Sequence, residues 1–125
     1  MFLLDTHTLL WAIFQTDKLS HKVVTILSEE DEIYVSIASL WEIAIKKSIG
    51  KLKLNVSIED LAKICRENAI TILPIDIMDV AELPDLPRVH GDPFDRMLIV
   101  SARNRKMTLV TKDNIIPRYD VKTLW

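Results

Sequence analysis

The sequence predicts an α/β fold, a three-layer α/β/α sandwich with a central, mainly parallel sheet of four to five strands. Two observations lead to this prediction. Short apolar runs that suit buried strands alternate along the chain with segments of helical periodicity. Strands that are separated by helices pair in parallel through crossover connections, and the helices then cover the faces of the sheet.

Length and composition predict one domain over residues 1–125. The chain has 125 residues, 49% of them hydrophobic and 27% charged, which is the balance of a single globular unit. A net charge of −2 excludes nucleic-acid binding by bulk positive charge, so such binding would depend on local clusters of Lys and Arg. A lone cysteine, Cys65, and the lack of any apolar run near the roughly 20 residues that span a bilayer indicate a cytoplasmic protein without a membrane segment.

The first half of the chain carries two strands, each followed by a helix. The predicted elements are a strand at Phe2–Leu4 that ends at Asp5, helices over about residues 8–15 and 18–28, a strand at Ile33–Val35 and a helix over residues 37–49. Ser36 is placed to cap the helix that follows it, and Gly50 is placed to end that helix.

The second half continues the alternation of helix and strand. Its predicted elements are a helix that opens at Ser57, a strand over residues 70–75, a short helix from Asp76 to about Leu83, a helix over 95–105, a strand over 108–111 and a short fifth strand within 121–125. Pro74 has no backbone N–H to donate, so its strand is predicted to lie at a sheet edge or to end there.

Acidic residues fall where one edge of the predicted sheet would collect them. Asp5 ends the first strand, and Asp113 lies just past the fourth. Asp95 belongs to the first turn of the helix before that strand, and Glu42 lies about one and a half turns into an apolar helix. Because ligands of parallel sheets bind at the carboxyl ends of the strands, these four acids are predicted to share one pocket.

Crowded carboxylates predict a bound cation. They repel one another, and burying them is costly unless a positive charge compensates. Oxygen ligands without cysteine or clustered histidine favour Mg²⁺ or Mn²⁺ over Zn²⁺. Such an ion can activate a water to attack a phosphodiester and can neutralise the leaving oxygen. The pattern therefore indicates metal-dependent phosphodiester cleavage.

The acids near the predicted helix starts also have purely structural interpretations. Asp92 at the N-cap, Pro93 at the first helical position and Asp95 in the first turn all favour the start of a helix on local grounds. Asp113 could belong to an ordinary turn, and Asp5 could cap the first helix.

Glu42 has a structural alternative as well. It forms a favourable i,i+4 pair with Lys46, which would suit a surface ion pair. Its neighbours are apolar nearly all round the helix, however, which favours a buried, functional acid. Histidines are scattered, and His90 is interpreted as a surface or local hydrogen-bonding residue.

Four ordered motifs together resemble the PIN-domain family, and within it the ribonuclease toxins of the VapC type. They are Leu3-Leu4-Asp5-Thr6-His7, then Ser36-x-x-Ser39-x-Trp41-Glu42-Ile43-x-x-Lys46 followed by Gly50-Lys51-Leu52, then His90-x-Asp92-Pro93-Phe94-Asp95-Arg96-x-Leu98-Ile99, and finally Leu109-Val110-Thr111-x-Asp113. The resemblance runs in order over nearly the whole chain. It implies Mg²⁺- or Mn²⁺-dependent RNA cleavage, frequent homodimerisation and neutralisation by a cognate antitoxin that occupies the active-site groove.

The resemblance also assigns residues to roles. Those on the family's acidic positions, with implied catalytic and metal-holding roles, are Asp5, Glu42, Asp95 and Asp113. Asp92 is an additional nearby acid, while Thr6 and Thr111 adjoin the pocket and are expected to orient ligands or water. Arg96 is compatible with a phosphate contact or with a salt bridge to a neighbouring acid, and Lys46 is a candidate for RNA contact.

The leading hypothesis is therefore a Mg²⁺- or Mn²⁺-dependent endoribonuclease, the toxin component of a type II toxin–antitoxin system. One alternative is a PIN-like module that binds RNA or a partner without turnover. Another is a receiver-type phosphoacceptor signalling domain, which has this length and a carboxylate metal pocket. In that alternative Asp76 is the only acceptor candidate, and Glu42 has no role.

Overall fold

Five parallel strands form the centre of the protein. In the computed structural model, which describes residues 1–125, they are β1 (Phe2–Leu4), β2 (Ile33–Ser36), β3 (Ile70–Leu73), β4 (Thr108–Val110) and β5 (Thr123–Leu124). They lie in the order β3-β2-β1-β4-β5, and every neighbouring pair is parallel. Leu4 of β1 lies opposite Val35 and Val110, so β1 is the middle strand.

Six helices flank the sheet. They are α1 (Thr6–Phe14), α2 (His21–Glu29), α3 (Ile37–Ser48), α4 (Ile58–Glu67), α5 (Ile77–Glu82) and α6 (Pro93–Asn104). Each begins with a side chain that accepts a hydrogen bond from a backbone N–H of the first turn, and these caps are Asp5, Ser20, Ser36, Ser57, Asp76 and Asp92. None of the six is both long and apolar enough to cross a membrane.

The two faces of the sheet carry separate hydrophobic cores. Along β1, Leu4 packs on one face with residues of α1, α2 and α4, whereas Leu3 packs on the other face with residues of α6. Leu109 and Val110 of β4 alternate in the same way, because successive side chains of a strand point to opposite faces. Helices thus cover both faces, which confirms the predicted α/β/α sandwich and its parallel sheet.

Several boundaries differ from the prediction, each for a local reason. Helix α1 begins at Thr6 because Asp5 caps it, and α6 begins at Pro93 because Asp92 caps it. Helix α2 begins later than predicted, after the cap Ser20. Strand β3 stops before Pro74 and is an edge strand of the sheet, as the missing N–H of proline requires.

The strand order does not fit the receiver-type alternative. In flavodoxin-like receivers the third strand lies directly beside the first, in the order 2-1-3-4-5. Here β2 separates β3 from β1, so Asp76 at the end of β3 is not beside Asp5. The Asp76 side chain accepts a hydrogen bond from the Met78 N–H, 2.9 Å away, and caps α5. Its observed contact is that of a helix cap.

A buried ionic network holds α5 against α6. Asp79 on α5 is 1% exposed and accepts hydrogen bonds from Ser101, Asn104 and Arg105 on or just after α6, at 2.8 to 3.0 Å. Burial acts to raise the pKa of Asp79, but these donors outweigh it and lower the pKa below its ordinary value. The network fixes the helix whose other end carries Asp95.

Replacing Asp79 by alanine should destabilise the protein. Arg105 and the two neutral donors then lose their acceptor, so we expect the free energy of unfolding to fall by about 2 to 3 kcal/mol in urea titrations near neutral pH. Because folding depresses the pKa of Asp79, its stabilisation is present above pH of about 4 and is lost as pH falls further. Asp17→Ala, at an exposed acid without an ion pair, is the control. Equal losses in both variants would contradict the structural role of the network.

Candidate active site

Acidic side chains gather at the carboxyl edge of the sheet, where the chain leaves β1 and β4. Asp5 follows β1 directly, and its backbone N–H donates to the carbonyl of Val110 at the end of β4. Its 5% exposed carboxylate accepts hydrogen bonds from the Thr8 N–H at 2.8 Å and the Thr111 hydroxyl at 2.6 Å. Asp5 is therefore both the cap of α1 and a wall of the pocket.

Glu42 reaches the same edge from α3, and both of its carboxylate oxygens are engaged. One accepts a hydrogen bond from the Thr6 hydroxyl at 2.6 Å, and the other accepts from Lys46 Nζ at 2.7 Å. Glu42 is 4% exposed, so this is a buried acid with a partly buried partner. The hydrogen bond to Glu42 raises the pKa of Lys46 against the effect of burial, and the charges of Asp92 and Asp95 add to the increase. Lys46 is thus the cation of the cluster.

Asp92 and Asp95 stand at the start of α6 in different environments. One Asp92 oxygen accepts hydrogen bonds from the backbone N–H groups of Phe94 and Asp95, at 2.8 and 3.2 Å. The Asp95 carboxylate accepts no well-directed hydrogen bond, and its nearest cationic or donor group is His90 Nε2 at 3.1 Å. Burial raises the pKa of Asp95 to about 7, helped by the charges of Asp92, Asp5 and Glu42 and opposed by His90. Asp95 is the least compensated acid of the group.

Asp113 completes the edge from the loop after β4. One of its oxygens accepts hydrogen bonds from the N–H groups of Ile115 and Ile116, at 2.7 and 3.0 Å, and the other lies 3.1 Å from His90 Nε2. Burial acts to raise the pKa of Asp113, but these three donors outweigh it and lower the pKa below its ordinary value. The Asp113 N–H also donates to the hydroxyl of Thr111. Asp113 therefore forms a turn and belongs to the site at once.

His90 is a site residue that the sequence interpretation missed. It is 8% exposed, and its Nε2 lies 3.1 Å from a carboxylate oxygen of both Asp95 and Asp113. Its other ring nitrogen, Nδ1, accepts a hydrogen bond from the Asp92 N–H. The available signal was its position two residues before the helix cap, where a side chain can fold back onto the start of the helix.

Arg96 does not form the ion pair that was one of its two sequence interpretations. Its guanidinium donates to the backbone carbonyls of Leu83, Leu86 and Pro87 at 2.9 to 3.2 Å, and the His90 carbonyl lies at 3.5 Å. These four acceptors belong to the loop between α5 and α6. Arg96 thus holds the loop that carries His90.

The donor set suits a divalent cation. Ligand atoms of His90, Asp95 and Asp113 all lie within 4.8 Å of one another, whereas Asp5 and Glu42 lie outside that tight group. The carboxylate oxygens are hard donors, which Mg²⁺ and Mn²⁺ prefer. Five carboxylates with one lysine nearby leave an excess of negative charge that such an ion would offset. Asp95 and Asp113 are the residues placed to hold it.

Fold and site first define a class, the parallel α/β/α sandwiches that carry carboxylates at the carboxyl edge of the sheet. A model described as the PIN domain matches residues 2–122, nearly the whole chain. The protein belongs to the PIN domain family. No curated protein sequence matches it.

Several solved structures share the fold. FitAcB from Neisseria gonorrhoeae is 18% identical with a TM-score of 0.70, covering 100% of this chain and 97% of that one. VapBC2 from Rickettsia felis, bound to a DNA fragment from their promoter, is 16% identical with a TM-score of 0.72, covering 98% and 96%. A toxin–antitoxin complex from Klebsiella pneumoniae is 13% identical with a TM-score of 0.66, covering 100% and 97%. At these identities the similarity is one of fold.

Removing the charge of Asp92 should lower the pKa of Asp95. In Asp92→Asn the new side chain can still cap α6, but the repulsion that raises the pKa is gone. An NMR titration of the metal-free variant should therefore show a lower Asp95 midpoint than the wild-type value of about 7. The raised pKa also means that the contribution of Asp95 to stability falls as pH rises from about 4 to 7. Asp76→Asn, at the cap of α5, is the control. An Asp95 midpoint that is the same in Asp92→Asn and wild type would contradict the coupling.

Proposed function

We propose that the protein is a Mg²⁺- or Mn²⁺-dependent endoribonuclease and the toxin component of a type II toxin–antitoxin system. PIN domains are in general nucleases. The observation that carries the proposal is the uneven compensation of the acidic edge. Asp5, Glu42 and Asp113 each have strong donors, whereas Asp95 has a raised pKa and no directed hydrogen bond. A cation at Asp95 and Asp113 would relieve this imbalance.

The acids have different tasks in this proposal. Asp95 and Asp113 hold the ion, and Asp5 faces it from the end of β1. A bound Mg²⁺ or Mn²⁺ would supply an activated water and neutralise charge on the phosphodiester. Glu42 is already engaged by Thr6 and Lys46, so its task is to hold the Lys46 ammonium at the edge, where it can contact a phosphate.

The hydroxyl groups and Asp92 support these acids. Thr111 donates to Asp5 and accepts from the Asp113 N–H, so it couples the two loops that frame the site. Thr6 orients Glu42 in the same way. Asp92 begins α6, and its charge adds to the negative field at Asp95. Positive contacts for RNA would come from Lys46 and from Lys51 and Lys53, which are exposed.

RNA cleavage should depend on the divalent ion and on two of the acids. Purified wild-type protein should cleave RNA with Mg²⁺ or Mn²⁺ and not with excess chelator. Asp5→Asn and Asp95→Asn should each lower the rate by about 100-fold or more, because a hard carboxylate ligand or its charge is lost. Gel analysis of a mixed cellular RNA substrate measures the rate.

Asp17→Asn, at an exposed acid beyond the end of α1 that is remote from the site, is the matched control and should cleave like wild type. Cleavage that survives both site substitutions would refute the site. RNA binding without product under any divalent ion would favour the alternative, a PIN-like binding module without turnover.

An antitoxin partner is part of the proposal. Two of the similar structures are a toxin–antitoxin complex and VapBC2 on promoter DNA. In this chain a groove of about 490 Å³ runs between α1 and the segment over residues 52–56. Its walls include Leu10, Trp11, Phe14 and Leu54, and His7 at one end lies two residues from Asp5. An apolar antitoxin segment in this groove would end next to the acidic edge.

A second copy of the chain is the other proposed partner. Ile37, Trp41, Ile45 and Ile49, which lie along α3 and its C-cap at intervals of four residues, are 41%, 58%, 37% and 58% exposed. This spacing places them on one face of the helix, and an exposed apolar stripe is typical of an interface. Two such stripes can pack against each other across a two-fold axis. The Trp41 ring also packs against Phe94, with centroids 5.2 Å apart, so the stripe adjoins the start of α6.

A lysine within the stripe should disrupt the homodimer. Wild-type protein should have twice the chain mass in light scattering coupled to size exclusion, whereas Ile45→Lys should shift towards the single-chain mass because a buried charge opposes the contact. Val24→Lys, at a comparably exposed apolar residue on α2, should stay dimeric. A monomeric wild type, or dimers in all three proteins, would contradict the proposed interface.

A further inference from the structure

The His90 imidazole occupies a fixed place between two acids of the site. Its Nε2 lies 3.1 Å from Asp95 Oδ2 and 3.1 Å from Asp113 Oδ2, and the hydrogen bond has good geometry to Asp113. Asp95 and Asp113 belong to different segments, the start of α6 and the loop after β4. The imidazole is therefore the group that physically joins them.

The hydrogen bond at the other ring nitrogen fixes the tautomer. Nδ1 lies 3.1 Å from the backbone nitrogen of Asp92. A backbone N–H can only donate, so Nδ1 must accept and carries no hydrogen. The neutral ring then carries its hydrogen on Nε2, which points at the carboxylates. In this arrangement His90 is a donor to the acids.

The same geometry opposes a role for His90 as a metal ligand. Binding an ion through Nε2 would move the hydrogen to Nδ1, where it would face the N–H of Asp92. That arrangement loses a hydrogen bond and sets two donors against each other in a part-buried place. Asp113 already accepts three hydrogen bonds, one of them from His90, and a carboxylate offers about four acceptor positions. One position on Asp113 therefore stays available for an ion.

The backbone around His90 is held from two sides. Tyr119, which is 7% exposed, accepts from the N–H groups of Val89 and His90 at 3.0 and 2.6 Å and donates to the Pro87 carbonyl at 2.6 Å. Arg96 binds the carbonyl groups of the same loop. Both side chains come from outside the loop. The imidazole is thus presented by a fixed segment of backbone.

We propose that His90 is a positioning residue of the metal site, which holds Asp95 and Asp113 within reach of one ion as an Nε2–H donor and does not itself bind the metal. This inference rests on the proposed function. Arg96 and Tyr119 act through His90, because they fix the loop that presents it. The chemistry matches the hydrogen bonds that orient carboxylate ligands at metal sites, whose loss typically weakens metal affinity by about 10- to 100-fold.

The tautomer can be read directly by NMR. In ¹⁵N-histidine-labelled, metal-free protein, the His90 ring should show a hydrogen on Nε2 and an unprotonated Nδ1, with His90→Gln identifying its signals. On addition of Mg²⁺ the Nε2–H correlation should persist. Loss of that hydrogen with Mg²⁺ would mean direct ligation and would overturn the proposal, as would an Nδ1–H tautomer in the metal-free protein.

Metal affinity tests the positioning role without RNA. In calorimetric Mg²⁺ titrations, His90→Ala should weaken binding by about 10-fold or more. His90→Gln, whose amide can place a donor near the former Nε2, should recover most of the affinity. His21→Ala, at an exposed histidine at the start of α2, is the control and should bind as wild type does. A lower melting temperature of His90→Ala with unchanged Mg²⁺ affinity would show a merely structural role and overturn the inference.

The two proposals fail in different ways. Wild-type protein that binds no Mg²⁺ or Mn²⁺ would overturn the nuclease proposal and the role of His90 with it. Wild-type binding that His90→Ala retains in full would overturn only the role of His90. If His90→Ala does not fold, the tautomer and its response to Mg²⁺ in the wild-type protein decide the question.

Discussion

Repulsion among carboxylates at the carboxyl edge of the sheet is the constraint on which the rest of the site depends. The parallel topology brings Asp5 and Asp113 together from β1 and β4, and α3 and α6 add Glu42 and Asp95. Each close approach of like charges would favour protonation or separation of the acids. The neighbouring groups offset it with backbone N–H donors, two threonine hydroxyls and one lysine. The positions of Thr6, Thr111 and Lys46 make sense as answers to this repulsion.

The structural and functional interpretations of these acids are not exclusive. Asp5 caps α1, and Asp113 closes a turn through two backbone N–H groups. Both are places where an ionised carboxylate is already stabilised by oriented donors. A helix start or an Asx turn can therefore keep an acid charged within a crowded pocket. The local cap that competes with a site in a sequence-only interpretation is, in this fold, the means of building the site.

The sequence predicts what is local and misses what joins distant segments. The strands and the caps at Ser36 and Ser57 follow from patterns within a few residues, and the convergence of Asp5 and Asp113 follows from parallel order alone. His90 illustrates the limit, because its contact with Asp113 spans 23 residues and depends on the path of an irregular loop. Arg96 looks like a phosphate or carboxylate ligand in sequence, yet it binds backbone carbonyls whose positions no residue pattern reveals.

The uneven compensation of the acids gives each a different part in binding a cation. Glu42 is closed off, since Thr6 and Lys46 occupy both of its oxygens, and an ion would have to displace Lys46 to reach it. Asp95 is the opposite case, since burial and its neighbours raise its pKa while no donor is directed at it. An ion that replaces a proton on Asp95 therefore gains the most where the protein itself stabilises the charge least. The binding free energy of the ion is concentrated at the start of α6, and the network from Asp79 to Arg105 matters to the site because it fixes the far end of that helix.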